Sequence, residues 1–111
     1  MDAGLVPEPR HDCELCPRLV AYRMRNRAQE PTWHNGPVQS FGQTDGQLAI
    51  IGLAPGLKGA NRTGRPFTGD YAGDLLYSTL SQFNFATGTY SADPDDGFKL
   101  SDCLVTNAVR C

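Results

Sequence analysis

Two short apolar runs with one amphipathic helix between them constrain this chain more than any other feature. The first run is Gln47 to Ile51, carrying Leu48, Ile50 and Ile51. The second runs from Cys103 through Leu104, Val105, Ala108 and Val109 to Cys111. Between them, Ala72, Leu75, Leu76, Thr79, Leu80 and Phe83 fall at helical spacing and predict a helix over Tyr71 to Phe83. Thr68 or Asp70 can cap its N-terminus with a side-chain oxygen. Strand, helix, strand in this order is a βαβ unit, which builds a parallel sheet. Ligands of such sheets bind beyond the carboxyl ends of the strands. Here those ends are Gly52 to Gly56 and Asn107 to Cys111.

A further helix precedes this unit. Pro17 suits a first helical turn, where its missing N–H costs nothing. Leu15, Leu19 and Tyr22 recur at i, i+4 and i+7 and form one apolar stripe. The helix should fade between Arg27 and Glu30, ahead of Pro31. Residues 1–11 are polar and proline-containing, and are expected to be disordered. Pro31 to Gly46 reads as loop, and Phe85 to Leu100 as an irregular excursion. The 111 residues suffice for one small domain. Because the sequence stops inside its second apolar run, residues 1–111 are expected to be the N-terminal part of a single domain.

The formal net charge is −2, which gives no overall electrostatic signature of a nucleic-acid binder. The charges are uneven, however. Arg18, Arg23, Arg25 and Arg27 crowd one segment, and Asp93, Asp95, Asp96 and Asp102 another. They read as two solvated faces, or the arginines as phosphate contacts. No apolar run approaches the roughly 18 residues of a membrane span. Residues 1–11 lack the apolar stretch of a secretory signal. The expected setting is therefore cytoplasmic, where cysteines are more often metal ligands or catalytic groups than disulfides.

Four cysteines are present: Cys13, Cys16, Cys103 and Cys111. Thiolates two residues apart, as in Cys13-x-x-Cys16, can both reach one metal from a turn. Cys111, at a strand end, can supply a third ligand. Cys103 cannot join it on a straight strand. At about 3.3 Å per residue, eight residues separate the two by roughly 26 Å. The fourth ligand is therefore expected beyond residue 111, and Cys103 is expected to be a buried thiol. A redox pair at Cys13 and Cys16 is the competing reading. His11 and His34 have no partner at ligand spacing and read as loop residues.

The two loops around the first strand and the helix carry the other signal. Gly52-Leu53-Ala54-Pro55-Gly56 follows a buried strand directly, where glycine lets a ligand approach the backbone. Gly59 to Asp70 combines Asn61, Arg62 and Arg65 with Phe67, and places Asp70 at a helix start. Neither a P-loop nor a dinucleotide fingerprint is present: Lys58 stands before the last glycine of its loop, in the wrong order.

Taken together, Cys-x-x-Cys-Pro-Arg-Leu-Val from Cys13, Gly-Leu-Ala-Pro-Gly from Gly52, Gly-Ala-Asn-Arg-Thr-Gly-Arg-Pro-Phe-Thr-Gly-Asp from Gly59 and Thr-Asn-Ala-Val-Arg-Cys from Thr106 resemble the iron–sulfur uracil-DNA glycosylases. The long middle motif is similar to that of the family-five enzymes. Family-four enzymes carry an acidic residue where this chain has Leu53. The resemblance implies a three-layer α/β/α sandwich around a central parallel sheet, here truncated. It also implies a 4Fe-4S cluster on Cys13, Cys16, Cys111 and a cysteine past residue 111. The implied partner is DNA containing uracil or another deaminated base, flipped into a pocket by a monomeric enzyme. Asp70 then matches the catalytic carboxylate, with Asp74 as runner-up. Gly52, Leu53, Phe67 and Asn107 match base-binding positions, and Asn61, Arg62 and Arg65 would contact DNA. A catalytic histidine belongs to the family's C-terminal half, so residues 1–111 alone are expected to be inactive. The alternative is a non-catalytic nucleic-acid-binding module holding an iron–sulfur cluster or zinc.

Overall fold

The computed structural model describes residues 8–111. In chain order the elements are α1 (Pro17–Gln29), β1 (Phe41–Gly42), β2 (Leu48–Gly52), α2 (Ala60–Thr63), α3 (Tyr71–Gln82), β3 (Ala86–Thr87), β4 (Lys99–Leu100) and β5 (Cys103–Asn107). The central pairing is parallel, β2 against β5, with Leu48 opposite Cys103, Ile50 opposite Val105 and Gly52 opposite Asn107. The crossover between them carries α3, as a βαβ unit requires. The architecture is α/β.

Three details differ from the sequence-based expectation. β1 joins the far edge of β5 in antiparallel sense, so the sheet is mixed, in the order β1-β5-β2. The segment from Phe85 to Leu100 is bounded by an antiparallel ribbon, β3 with β4. The last strand ends at Asn107 and does not continue to Cys111. The disorder expected for residues 1–7 lies outside the described residues. Residues 8–11 are held in place: Glu8 accepts from Ser40 N–H and pairs with Arg110.

Period-two alternation sorts the sheet faces. Cys103, Val105 and Asn107 are buried, and Leu48 and Ile50 are half-buried beside them. That face packs on Tyr77 and Leu80 of α3 and on Phe98 and Leu100. Each large side chain there contributes roughly 1.5–3 kcal/mol through removal from water. Aromatic rings knit the core. Tyr77 lies 5.6 Å from Phe98 and 5.8 Å from Phe41, both edge-on. The buried stripe of α3 is Gly73, Tyr77 and Leu80. Leu75 and Phe83, expected to point inward, are 52% and 65% exposed. The Tyr77 hydroxyl decides this phase, because it reaches the Pro66 carbonyl from inside the core. On the opposite sheet face Ile51 is 66% exposed, so this is the open side of the expected sandwich.

The helix α1 is anchored by polar contacts. Its buried residues are Arg23 and Asn26, and of the expected apolar stripe Leu19 and Tyr22 are half-buried on that same face, while Leu15 lies before the helix and is 87% exposed. Arg23 donates to the Cys13 carbonyl at 2.8 Å, and Arg27 donates to Asp12 and to the carbonyls of His11 and Asn35. Asn35, 1% exposed, donates from its amide to the Glu30 carbonyl and accepts from Asn61 of α2.

One ion pair closes the crossover. The guanidinium of Arg65 grips Asp96 through two hydrogen bonds, 2.9 and 2.8 Å, and lies 4.4 Å over the ring of Phe41. Both side chains are buried, 4% and 1% exposed. The same carboxylate accepts the N–H groups of Ser91 and Phe98, each at 2.9 Å. Asp96, expected in a solvated acidic face, is thus an interior group. The Arg65 hydrogen bonds, with smaller help from the two N–H groups, hold its carboxyl far below the usual carboxylate range.

Replacing Asp96 with Asn leaves a buried guanidinium uncompensated and should cost about 3–5 kcal/mol in urea unfolding. Because the folded-state pKa of Asp96 is depressed, its contribution is complete above the unfolded value near 3.9 and is lost as pH falls below it. The wild-type chain should lose stability over that acid range, and Asp96→Asn should flatten that slope.

Candidate active site

The parallel register sets the carboxyl ends of β2 and β5 side by side, and a cleft of about 340 Å³ opens there. Gly52, Leu53, Phe67, Asp70 and Asn107, drawn from three separate stretches of sequence, all line it. Gly52 is the point of convergence. A Cβ on it would fall 2.5 Å from the Asn107 side-chain oxygen and 2.5 Å from the Phe67 ring. Only a residue without a side chain lets the ring and the amide meet over the strand end.

Phe67 is held in an unusual conformation. Its φ is +57°, in the left-handed region, which costs a non-glycine residue roughly 1–2 kcal/mol. The surroundings hold it there. A Cβ at Gly73 would overlap the Phe67 carbonyl at 1.8 Å, so glycine lets the first turn of α3 press against this peptide. The neighbouring Thr68 is 1% exposed and donates to the Arg65 carbonyl at 2.9 Å.

Asp70 is the N-cap of α3. One carboxylate oxygen accepts from Gly73 N–H at 2.8 Å. The other has no protein partner among the described residues, and the residue is exposed at the cleft. Capping fixes the carboxylate and leaves it one open oxygen. Asn107 is 7% exposed, with its amide at the base of the cleft. The Gly52 and Leu53 carbonyls are taken by the N–H groups of Ala108 and Val109, each at 2.9 Å. The loop beyond is stitched by glycines: a Cβ on Gly69 would sit 2.8 Å from the Gly59 Cα. The site thus offers an aromatic face, an amide and a carboxylate within one concavity.

The three residues read as DNA contacts separate. Arg62 remains exposed, its guanidinium 6.0 Å from the Trp33 ring centre. Arg65 is interior, gripping Asp96, so it is corrected from a surface cation to a structural one. Asn61 is corrected likewise. It is 7% exposed, and its amide donates to Asn35 and to the Leu57 carbonyl. The arginine-rich helix divides in the same way, with Arg18 and Arg25 exposed and Arg23 buried. Lys58 lines the cleft, a position that the sequence marked only as a misplaced P-loop lysine.

Cys103 is fully buried, as expected of a thiol outside the ligand set. Cys13, Cys16 and Cys111 are free thiols, half-buried, exposed and half-buried respectively. The Cys111 thiol is pushed up, first by burial and then by the nearness of Cys13 and Cys16, with Arg23 and Arg110 opposing. Among the described residues, no three ligating side chains stand in a ready metal-holding set. Arg23 donates to the Cys13 carbonyl at 2.8 Å, and its buried Nε has no hydrogen-bond partner. Soft unpaired thiols next to an unmatched buried cation fit an anionic thiolate-bound group.

The sequence agrees with this geometry when compared with known proteins. It is 46% identical over 105 residues to a type-5 uracil-DNA glycosylase of Thermus thermophilus, covering 89% of this chain and 47% of that protein. It is 40% identical to a type-5 uracil-DNA glycosylase of Mycobacterium leprae, covering 98% and 52%. A third, from Pyrobaculum aerophilum, is 36% identical, covering 90% and 46%. The chain spans about half the length of these curated relatives. The profile of the uracil DNA glycosylase superfamily matches residues 39–111, the stretch that holds both strand ends and the cleft, and the chain belongs to that superfamily.

Proposed function

We propose that this chain supplies the base-binding half of a DNA repair enzyme that hydrolyses the N-glycosidic bond of uracil, or of another deaminated base, in DNA. The observation that carries this reading is the meeting of Phe67, Asn107 and Asp70 over Gly52 in one cleft. A base inside a duplex is out of reach, so the nucleotide is extruded into the cleft. The Phe67 ring stacks on the base, a contact worth roughly 1–3 kcal/mol. The Asn107 amide offers both a donor and an acceptor, which matches the adjacent C=O and N–H of a pyrimidine edge. Backbone groups of Gly52 and Leu53 border the same edge.

Hydrolysis transfers the hydroxyl of water to C1′ of the sugar and its proton to the departing base. Positive charge develops on the sugar and negative charge on the base. The open oxygen of Asp70 stabilises the first and orients the water, while fixed dipoles favour the second. Leu53 provides no acid, so Asp70 is the carboxylate best placed for this work; Asp74 lies one turn further into α3. Arg62 meets the DNA backbone outside the cleft. The enzyme acts as a monomer in the cytoplasm. Among the described residues no helix is long and apolar enough to cross a membrane.

Cys13, Cys16 and Cys111 would hold a 4Fe-4S cluster with a fourth cysteine from beyond residue 111. That group, when bound, ties α1 to the end of the sheet; hydrolysis itself needs no electron.

Asp70 separates capping from chemistry. Asn caps a helix as well as Asp does. In the full-length protein, Asp70→Asn should keep the melting temperature yet lower uracil release roughly 10²- to 10⁴-fold. Asp70→Ala should lose activity and about 1 kcal/mol of stability as well. Wild-type rates in Asp70→Asn would move the catalytic role elsewhere. Phe67→Ala should weaken binding of a uracil-containing strand by about ten- to a hundredfold, with affinity for the undamaged strand unchanged. Equal losses on both strands would show that the ring does not stack on the extruded base.

A further inference from the structure

The guanidinium of Arg23 is an electrostatic anomaly. It stands seven residues after Cys16, two turns into α1, and its side chain folds back toward the start of the helix. One Nη donates to the Cys13 carbonyl at 2.8 Å. The residue is 8% exposed, and its Nε is buried without a hydrogen-bond partner. Among the described residues the ion pairs are Arg27 with Asp12, Arg65 with Asp96 and Arg110 with Glu8, and Arg23 belongs to none. Asp12, the nearby carboxylate, has a side chain 75% exposed and is taken by Arg27 at 2.7 Å.

Burying a cation without an anion is expensive, and natural chains keep such a group only where something compensates it. What this one meets directly is the backbone of the cysteine-bearing segment. Arg23 bonds the peptide of Cys13, whose thiol is half-buried and stands three residues before that of Cys16. A 4Fe-4S core held by four thiolates is a net dianion in its oxidised form. That charge is what the pocket around Arg23 lacks.

We propose that Arg23 is the counter-charge of the iron–sulfur centre, its guanidinium offsetting the cluster's negative charge and its buried Nε–H supplying a hydrogen bond toward the sulfur ligands. The inference rests on the cluster assignment made above for Cys13, Cys16 and Cys111. It makes Arg23 a positioning residue with no contact to DNA. Groups that surround metal ligands in this way tune how tightly the centre is held. Arg18 provides the control, since it carries the same charge on the same helix but faces solvent.

The test uses the full-length protein, purified without oxygen, as wild type, Arg23→Gln, Arg23→Lys and Arg18→Gln. Iron and sulfide per chain are measured, and the visible absorption band is followed while a chelator removes iron. Arg23→Gln should lose its cluster about 10- to 100-fold faster than wild type, and Arg18→Gln at the wild-type rate. Arg23→Lys should fall between, because one ammonium keeps the charge but cannot reproduce the planar fork. If Arg23→Gln does not accumulate as folded protein, Arg23→Lys decides alone: faster loss supports the role and a wild-type rate overturns it. Equal acceleration in Arg18→Gln would overturn it too, since any helix charge would then suffice. Wild-type protein free of iron, or holding zinc, would end the cluster assignment and this inference with it. A normal wild-type cluster with an unaffected Arg23→Gln would end this inference alone.

Discussion

The parallel pairing of β2 with β5 is the interaction on which the rest of this molecule depends. Parallel strands end on the same side of a sheet, so the loops that follow them must emerge together. The register puts Gly52 against Asn107, a missing side chain beside an amide. A slip of one residue would exchange the faces of a strand. Asn107 would then leave the cleft, and Val105 would leave the core beneath it. The hydrophobic sorting of Leu48, Ile50, Cys103 and Val105 therefore fixes the site as firmly as it fixes the fold.

A second constraint ties the cysteine-bearing helix to the cleft. Asn35 satisfies the Glu30 carbonyl at the end of α1 and accepts from Asn61 at the start of α2. Its own N–H donates to the Asn61 carbonyl at 2.9 Å, and His34 N–H donates to that of Arg62. The loop that lines the cleft is thus bonded to the end of a helix whose other end carries Cys16. Polar groups that are fully satisfied rigidify a structure, and partly satisfied ones mark where something else binds. Asn35 belongs to the first kind and Arg23 to the second.

Much of this was legible in the sequence, and the illegible part has common physical causes. The helix over Tyr71 to Phe83 and the strand near Leu48 announced themselves because period and cap agreed. Gly52, Phe67, Asp70 and Asn107 could be named together because their motifs resemble those of a known family, and the topology only placed the strand ends among them. The two-residue strands β1, β3 and β4 are too short to show any period. Arg65 and Asp96 are 31 residues apart, and nothing local marks an ion pair across that separation. Each charge looked like a surface residue alone and became interior only when its partner arrived. The stripe of Leu15, Leu19 and Tyr22 held in part, since Leu19 and Tyr22 are half-buried and Leu15 stands outside α1. Apolar spacing says which face could pack, and the neighbours decide which one does.

The cleft also illustrates how a site can be strained without being soft. Phe67 occupies a backbone region that few non-glycine residues adopt, and such strain persists only where the surroundings over-determine it. Here the chain is held on both sides of the strained peptide. Before it, the Pro66 carbonyl receives the Tyr77 hydroxyl, and Arg65 is gripped by Asp96. After it, Thr68 is bonded to the Arg65 carbonyl and Asp70 caps α3. Relaxing Phe67 would require Tyr77 to leave the core or the first turn of α3 to open. Either cost exceeds the strain. The ring is therefore presented to the cleft at a fixed angle before any ligand arrives, so little ordering remains to be done on binding. The glycines at 52 and 73 serve that single end, since each removes the side chain that would otherwise prevent the approach of Phe67.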